Sequence, residues 1–231
     1  MRSILIFPAT RRALEQALAS EADALAVDLL SASDADAAEI IGEARACGKK
    51  CLAQIHALDS GLADADLDAV MPGRPDGIIL PDACGGRDIQ HLGAKLAVRE
   101  AESDLADGAL KILALAGDSP AALFELGSIA RASRRLIGLG RDERLLAQRL
   151  GIFPRTGDER PEPFRVARSL CLFAAAAAGT KAYDCAEPGE GEDFERICAR
   201  AARDGFVGKI VVSAAQARIV NAAFAEPKDR G

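Results

Sequence analysis

The sequence predicts an α/β fold, a single (β/α)8 or TIM barrel spanning residues 1–231. Three observations carry that expectation. Short apolar runs alternate strictly with segments whose apolar residues recur at helical spacing. The runs number eight, and each is continuous instead of alternating apolar with polar, as expected of parallel strands covered on both faces. The chain of 231 residues, 49% of them hydrophobic, is also long enough to bury one large core. A doubly wound open sheet is the alternative, because it is built from the same units.

Taken in order, ILIFPA (4–9) is the first strand, stopped at Pro8, and Arg11 to Ser20 is the first helix. ALAVDLL (24–30) is the second strand, followed by an Ala-rich helix from Asp34 to Cys47. KCLAQIHA (50–57) is the third, and a short amphipathic helix over 59–70 is closed by Pro72-Gly73. GIILP (77–81) leads into a long helix, 87–105, and KILAL (111–115) into a helix over 120–132. LIGL (136–139) is the sixth strand, followed by a helix over 143–150, a Pro-broken loop IFPRTGDERPEP, and the most apolar helix of the chain, 164–178. KAYDC (181–185), a helix over 194–203, KIVV (209–212) and a helix over 214–224 complete the alternation.

The composition excludes several function classes. A net charge of −6 and only 4% aromatics argue against a nucleic-acid surface, which needs a basic stripe and stacking rings. The partner is expected to be a small molecule or another protein. The six cysteines (47, 51, 84, 171, 185, 198) form no CxxC pair and do not cluster with the two histidines, which fits reduced thiols in a cytoplasmic protein. The first apolar run is broken by Pro8 and Arg11-Arg12, too early for a signal peptide, and Leu170 to Gly179 falls far short of the roughly 20 residues of a membrane span.

In a barrel the C-terminal strand ends converge on one mouth, so the groups there are the candidate pocket. They are Pro8, Asp28, Gln54 with His56, Asp82 with Cys84, Asp118, Arg141 with Asp142, Asp184 with Cys185, and Ser213. Asp118 leads. It follows the run KILALAG, and Ser119-Pro120 is placed to cap and start the next helix. Its carboxylate either belongs to the chemistry or holds the loop, and several mouth carboxylates together would suit a hard divalent cation. Other features take plainer readings: Gly85-Gly86 as loop, not phosphate cradle, Cys84 as a small half-buried thiol, His56 as a hydrogen-bonded structural residue, and RDERLLAQR (141–149) as a solvated helix with internal ion pairs, not a phosphate or carboxylate clamp.

The segments RSILIFPATR, ADALAVDL, ALDSGLADADL, GRPDGIILP, KLAVREAE, PFRVARSLCL and DGFVGKIVV, with Gln216 and Asn221, resemble the HpcH/HpaI aldolase and citrate lyase beta-subunit family. These are CoA-ester lyases, among them malyl-CoA and citryl-CoA lyases. The resemblance implies a TIM barrel assembled as homo-trimers or hexamers, with Mg2+ in the barrel mouth and an acyl-CoA or oxo-acid as ligand. It makes Asp118, Gln54 and Asp28 the candidate catalytic residues, Gln54, Asp118, His56 and Asp82 the candidate substrate-binding residues, and Asp118 the metal ligand.

The same comparison marks departures. The family's Asp-Leu-Glu-Asp reads Asp28-Leu29-Leu30-Ser31 here, and its Val-Arg-Ile-Asn reads Ala53-Gln54-Ile55-His56, so a neutral amide replaces the arginine that grips the substrate carboxylate. Pro-Lys-Ala-Glu reads Pro81-Asp82-Ala83-Cys84, and His-Pro reads Ser213-Ala214. The metal-binding glutamate corresponds to Asp118, and the second ligand, an aspartate, falls on Leu145, which cannot coordinate. The sequence ends at Gly231, where family members continue into a segment that covers a neighbouring pocket, so this lid is expected to be lacking. The expectation is a citrate lyase beta-subunit-like carbon–carbon lyase with its Mg2+-dependent activity impaired or lost. The alternatives are a catalytically silent binding or subunit protein, partnered by an intact paralogue, and a hydrolase built on Cys84, His56 or Asp82.

Overall fold

The computed structural model describes residues 1–31, 36–152 and 161–225. Eight parallel strands close into a barrel in sequence order. They are β1 (Ser3–Pro8), β2 (Ala24–Asp28), β3 (Lys50–Gln54), β4 (Gly77–Ala83), β5 (Lys111–Ala116), β6 (Leu136–Gly140), β7 (Lys181–Asp184) and β8 (Gly208–Val211). Around them run α1 (Arg11–Leu18), α2 (Ala37–Ala46), α3 (Ala63–Val70), α4 (Gly86–Glu102), α5 (Pro120–Glu125), α6 (Glu143–Leu150), α7 (Glu162–Ala177), α8 (Gly191–Asp204) and α9 (Ala214–Ala223). Between α6 and α7 residues 153–160, most of the Pro-broken loop, lie outside the described residues, as does Asp34 at the expected start of the second helix. The expected lack of a C-terminal lid concerns chain past Ala225, also outside them.

Because side chains alternate along a strand, each strand feeds two cores. Ile4, Ala24, Ala26, Leu52, Ile79, Leu113, Leu115, Tyr183 and Ile210 fill the barrel interior. Their neighbours, among them Leu5, Leu25, Val27, Ala53, Ile78, Ile112 and Ala114, pack outward beneath the helices. Two glycines close the barrel. A Cβ on Gly138 would lie 2.6 Å from the Tyr183 ring, so the sixth strand must be bare where that ring crosses it. A Cβ on Gly208 would lie 1.9 Å from the Arg2 carbonyl oxygen at the β1–β8 seam.

Element ends differ from the expectation where acidic side chains outbid the sheet for backbone amides. The second strand stops at Asp28, not Leu30, because the Asp28 carboxylate accepts from the Leu30 amide (3.0 Å) and the Ser31 hydroxyl (2.9 Å) and turns the chain. The third stops at Gln54, not Ala57, because the His56 amide donates to Asp66 of α3 (2.7 Å). A 3-10 turn, Leu58–Ser60, then precedes α3, which starts at Ala63, not at 59. The helix expected over 120–132 is α5 followed by a 3-10 turn, Leu126–Ile129.

Candidate active site at the barrel mouth

Parallel closure puts all eight C-terminal strand ends on one face, and register fixes who is adjacent there. Pro8 pairs with Asp28, and Asp28 with Gln54. The Gln54 amide donates to the Asp28 carboxylate at 3.4 Å, so these two candidates meet. Asp28 is then held from three directions, by Leu30, Ser31 and Gln54. His56 is drawn away: its Nδ1 lies 2.8 Å from Asp66, the carboxylate that also takes its backbone amide. The imidazole is thereby tethered to α3.

The end of β4 is irregular. Its register with β5 shifts between Leu80 and Ala83, and Asp82 adopts φ +51°, a left-handed conformation uncommon outside glycine. The bulge turns the Asp82 carboxylate to Arg149 in the last turn of α6, and the two form a bidentate, end-on ion pair. Arg149 Nη1 also donates to the Asp118 carbonyl oxygen at 3.3 Å. Nearby, burial and the carboxylates of Asp82 and Asp88 push the Cys84 thiol up, the reverse of an activated nucleophile. Gly85-Gly86 is a packing device. The Gly86 amide donates to Ser128 Oγ (2.9 Å), and a Cβ on Gly86 would lie 2.2 Å from the Ser128 carbonyl oxygen.

Asp118 sits beneath these loops, 1% exposed. Ser119, not Asp118, caps α5. One Asp118 oxygen, Oδ1, accepts from the Asp142 amide at 2.6 Å, while Oδ2 is buried with no partner among the described residues. Burial is the main reason its pKa is pushed up to about 7; the Asp142 amide and Arg141 act against the rise, and the carboxylates of Asp142 and Asp82 with it. Asp142 caps α6. Leu145, half-buried on the first turn of that helix, carries no ligand atom. Among the described residues, no group of three or more His, Cys, Asp or Glu is placed to hold a metal ion.

The plain reading of RDERLLAQR fails at its first residue. Arg141 is 2% exposed, with Nη2 on Glu143 (2.6 Å) and near the Cys185 sulfur (3.4 Å). Its Nε and Nη1 are buried without partners among the described residues. Behind it, outside the barrel wall, Asp184 pairs with Lys209 (3.0 Å) and Arg168 (3.3 Å). Burial pushes the Asp184 carboxyl up, but Lys209, Arg168 and Arg141 together hold it well below the usual carboxylate range. Cys185 is buried and its thiol pushed up, mainly by that burial. Asp184 and Cys185 thus belong to a packed polar network. Ser213 caps α9 and bonds Glu190 (3.1 Å). A groove of about 1050 Å³ lies beside this network between α7 and α8; Asp28, Gln54, Asp82 and Asp118 are not in its lining.

A closed parallel barrel with its polar side chains gathered after the C-terminal strand ends defines a (β/α)8 protein with a candidate site in the usual place for that fold. No protein-family model matches the chain. The chain is 30% identical to a (3S)-malyl-CoA thioesterase of Cereibacter sphaeroides over 243 aligned positions, covering 96% of this chain and 76% of that protein. It is 27% identical to the citrate lyase subunit beta of Haemophilus influenzae, over 74% of this chain and 58% of that one. In fold it is similar to a citrate lyase beta subunit from Mycobacterium tuberculosis solved with oxaloacetate and magnesium, at TM-score 0.74 and 21% identity, over 97% and 96% of the two chains. The chain belongs to the HpcH/HpaI aldolase and citrate lyase beta-subunit family of CoA-ester lyases. Among the described residues, no helix is long and apolar enough to cross a membrane.

Proposed function

We propose that this chain keeps the family's barrel and a mouth for a small acid ligand, an oxo-acid or acyl-CoA, without Mg2+-dependent carbon–carbon cleavage. One observation carries the reading: the oxygens at the ends of β4 and β5 converge on the Arg149 guanidinium. Mg2+ requires oxygen ligands that can be brought to near-octahedral geometry. Here Asp82 is paired with Arg149, Asp118 is buried with one oxygen on the Asp142 amide, and the second ligand position is Leu145. These residues do not fit the ion. A hydrolase built on Cys84 and His56 is disfavoured by the raised thiol and by the Asp66 tether.

The test is incubation of malyl-CoA and citryl-CoA with the purified protein, with and without Mg2+. Appearance of the free oxo-acid would report cleavage, and free CoA thiol without it would report hydrolysis, the activity named for the Cereibacter sphaeroides relative. The reading predicts no Mg2+-dependent oxo-acid, and its appearance at turnover above background would overturn the reading.

A second reading, a binding or subunit protein, is favoured by Phe124 on α5 and Phe173 on α7, 90% and 68% exposed. Light scattering after size exclusion should then give a mass above the monomer, or a stable complex with a family paralogue. A lone monomer under both conditions would remove it.

A further inference from the structure

We propose that Arg149 is a carboxylate-binding residue of the barrel mouth, held between the ends of the fourth and fifth strands. The inference rests on the reading that this mouth works without a resident divalent ion. Arginine has five N–H donors in one plane. Nη1 uses both of its hydrogens, on Asp82 Oδ1 and on the Asp118 carbonyl oxygen, and Nη2 uses one, on Asp82 Oδ2. The Nε hydrogen and the Nη2 hydrogen beside it have no protein partner among the described residues. In a planar guanidinium these two point the same way along one edge, spaced to meet the two oxygens of a carboxylate. The side chain is 34% exposed.

The end-on pair with Asp82 therefore does not use up the arginine; it fixes it. Three oxygens from two strand ends hold the guanidinium, and a β-bulge with a left-handed aspartate sets the direction of two of them. A clamp held in place before the ligand arrives loses little side-chain entropy on binding. Arg141, which also follows a strand end in this region, holds only Nη2 on Glu143, but at 2% exposed it is closed to a ligand from solvent. Asp82 is a positioning residue. The ligand class is a small carboxylate, and pairing through both N–H groups of one edge selects planar carboxylates over spherical anions.

The probe is malonate, added in EDTA to the full chain labelled with 15N-arginine. The Arg149 Nε–H resonance, assigned by its loss in Arg149→Lys or, should that variant misfold, Arg149→Gln, is expected to shift saturably with malonate. Arg149→Lys is expected to raise the malonate Kd about tenfold or more, because an ammonium cannot bond in this bidentate way. Asp82→Asn is expected to weaken binding while the Nε–H signal still responds. An Nε–H resonance that does not move, a malonate Kd unchanged by Arg149→Lys, or no malonate binding at all would overturn the proposal. Because EDTA is present throughout, these outcomes are independent of the metal question: Mg2+-dependent cleavage would refute the functional reading through its products, not through this titration.

Discussion

Replacing Asp118 by asparagine should stabilise the protein at alkaline pH and leave it nearly unchanged in acid. The folded pKa is about 7 against an ordinary value of 3.8, a rise of about three units. Below pH 3.8 the carboxyl is protonated in both folded and unfolded chains, and its contribution to stability is fully present. Between there and pH 7 the folded chain keeps a proton that the unfolded chain has released, so stability falls as pH rises. Above pH 7 the contribution is lost. At about 1.36 kcal/mol per unit, the full swing is about 4 kcal/mol. Asparagine keeps an oxygen for the Asp142 amide and cannot ionise. Urea denaturation of both proteins at pH 4 and pH 8 gives the difference directly, because the other titrating groups cancel. The variant should gain about 2–4 kcal/mol at pH 8 relative to its offset at pH 4. An offset independent of pH, or a variant less stable at pH 8, would mean that an ionised Asp118 is matched by a cation in the folded state, and the burial argument would fail.

Gly138→Ala should cost about 1–3 kcal/mol, read as a lowered melting temperature, because its methyl would lie 2.6 Å from the Tyr183 ring and 2.9 Å from Leu113 Cδ1. A melt within error of the wild type would show that the barrel interior can make room. With a thiol-reactive disulfide at neutral pH, the native chain should expose two reacting cysteines, Cys47 and Cys84, and release Cys51, Cys171, Cys185 and Cys198 only on unfolding. Cys84 should react more slowly than free cysteine, since its thiol is pushed up; a faster reaction would restore the nucleophile reading.

The eight strands were legible because continuous apolar runs between turn residues have few other uses in a chain of this length. Their ends were less so. Asp28 and Asp66 each capture a backbone amide that the apolar pattern assigns to the sheet, and Asp66 does so from ten residues away. Asp118 could be picked out as an acid after a buried strand, but what it does depends on the Asp142 amide, 24 residues on. The Asp82–Arg149 pair spans 67 residues, and in the sequence Arg149 sits among charges that suit a solvated helix. Arg141 misled for the same reason. Its burial is set by Glu143, Cys185 and Asp184, and only folding brings β6 and β7 together around it.

The central claim is that these strand ends close on an arginine and not on a metal ion, and calorimetric titration of Mg2+ and Mn2+ into the EDTA-treated protein tests it most directly. No binding heat at millimolar metal, in the wild type as in Asp118→Asn, is the result predicted. Saturable binding in the wild type that Asp118→Asn abolishes would contradict it, and would return Asp118 to the role of metal ligand.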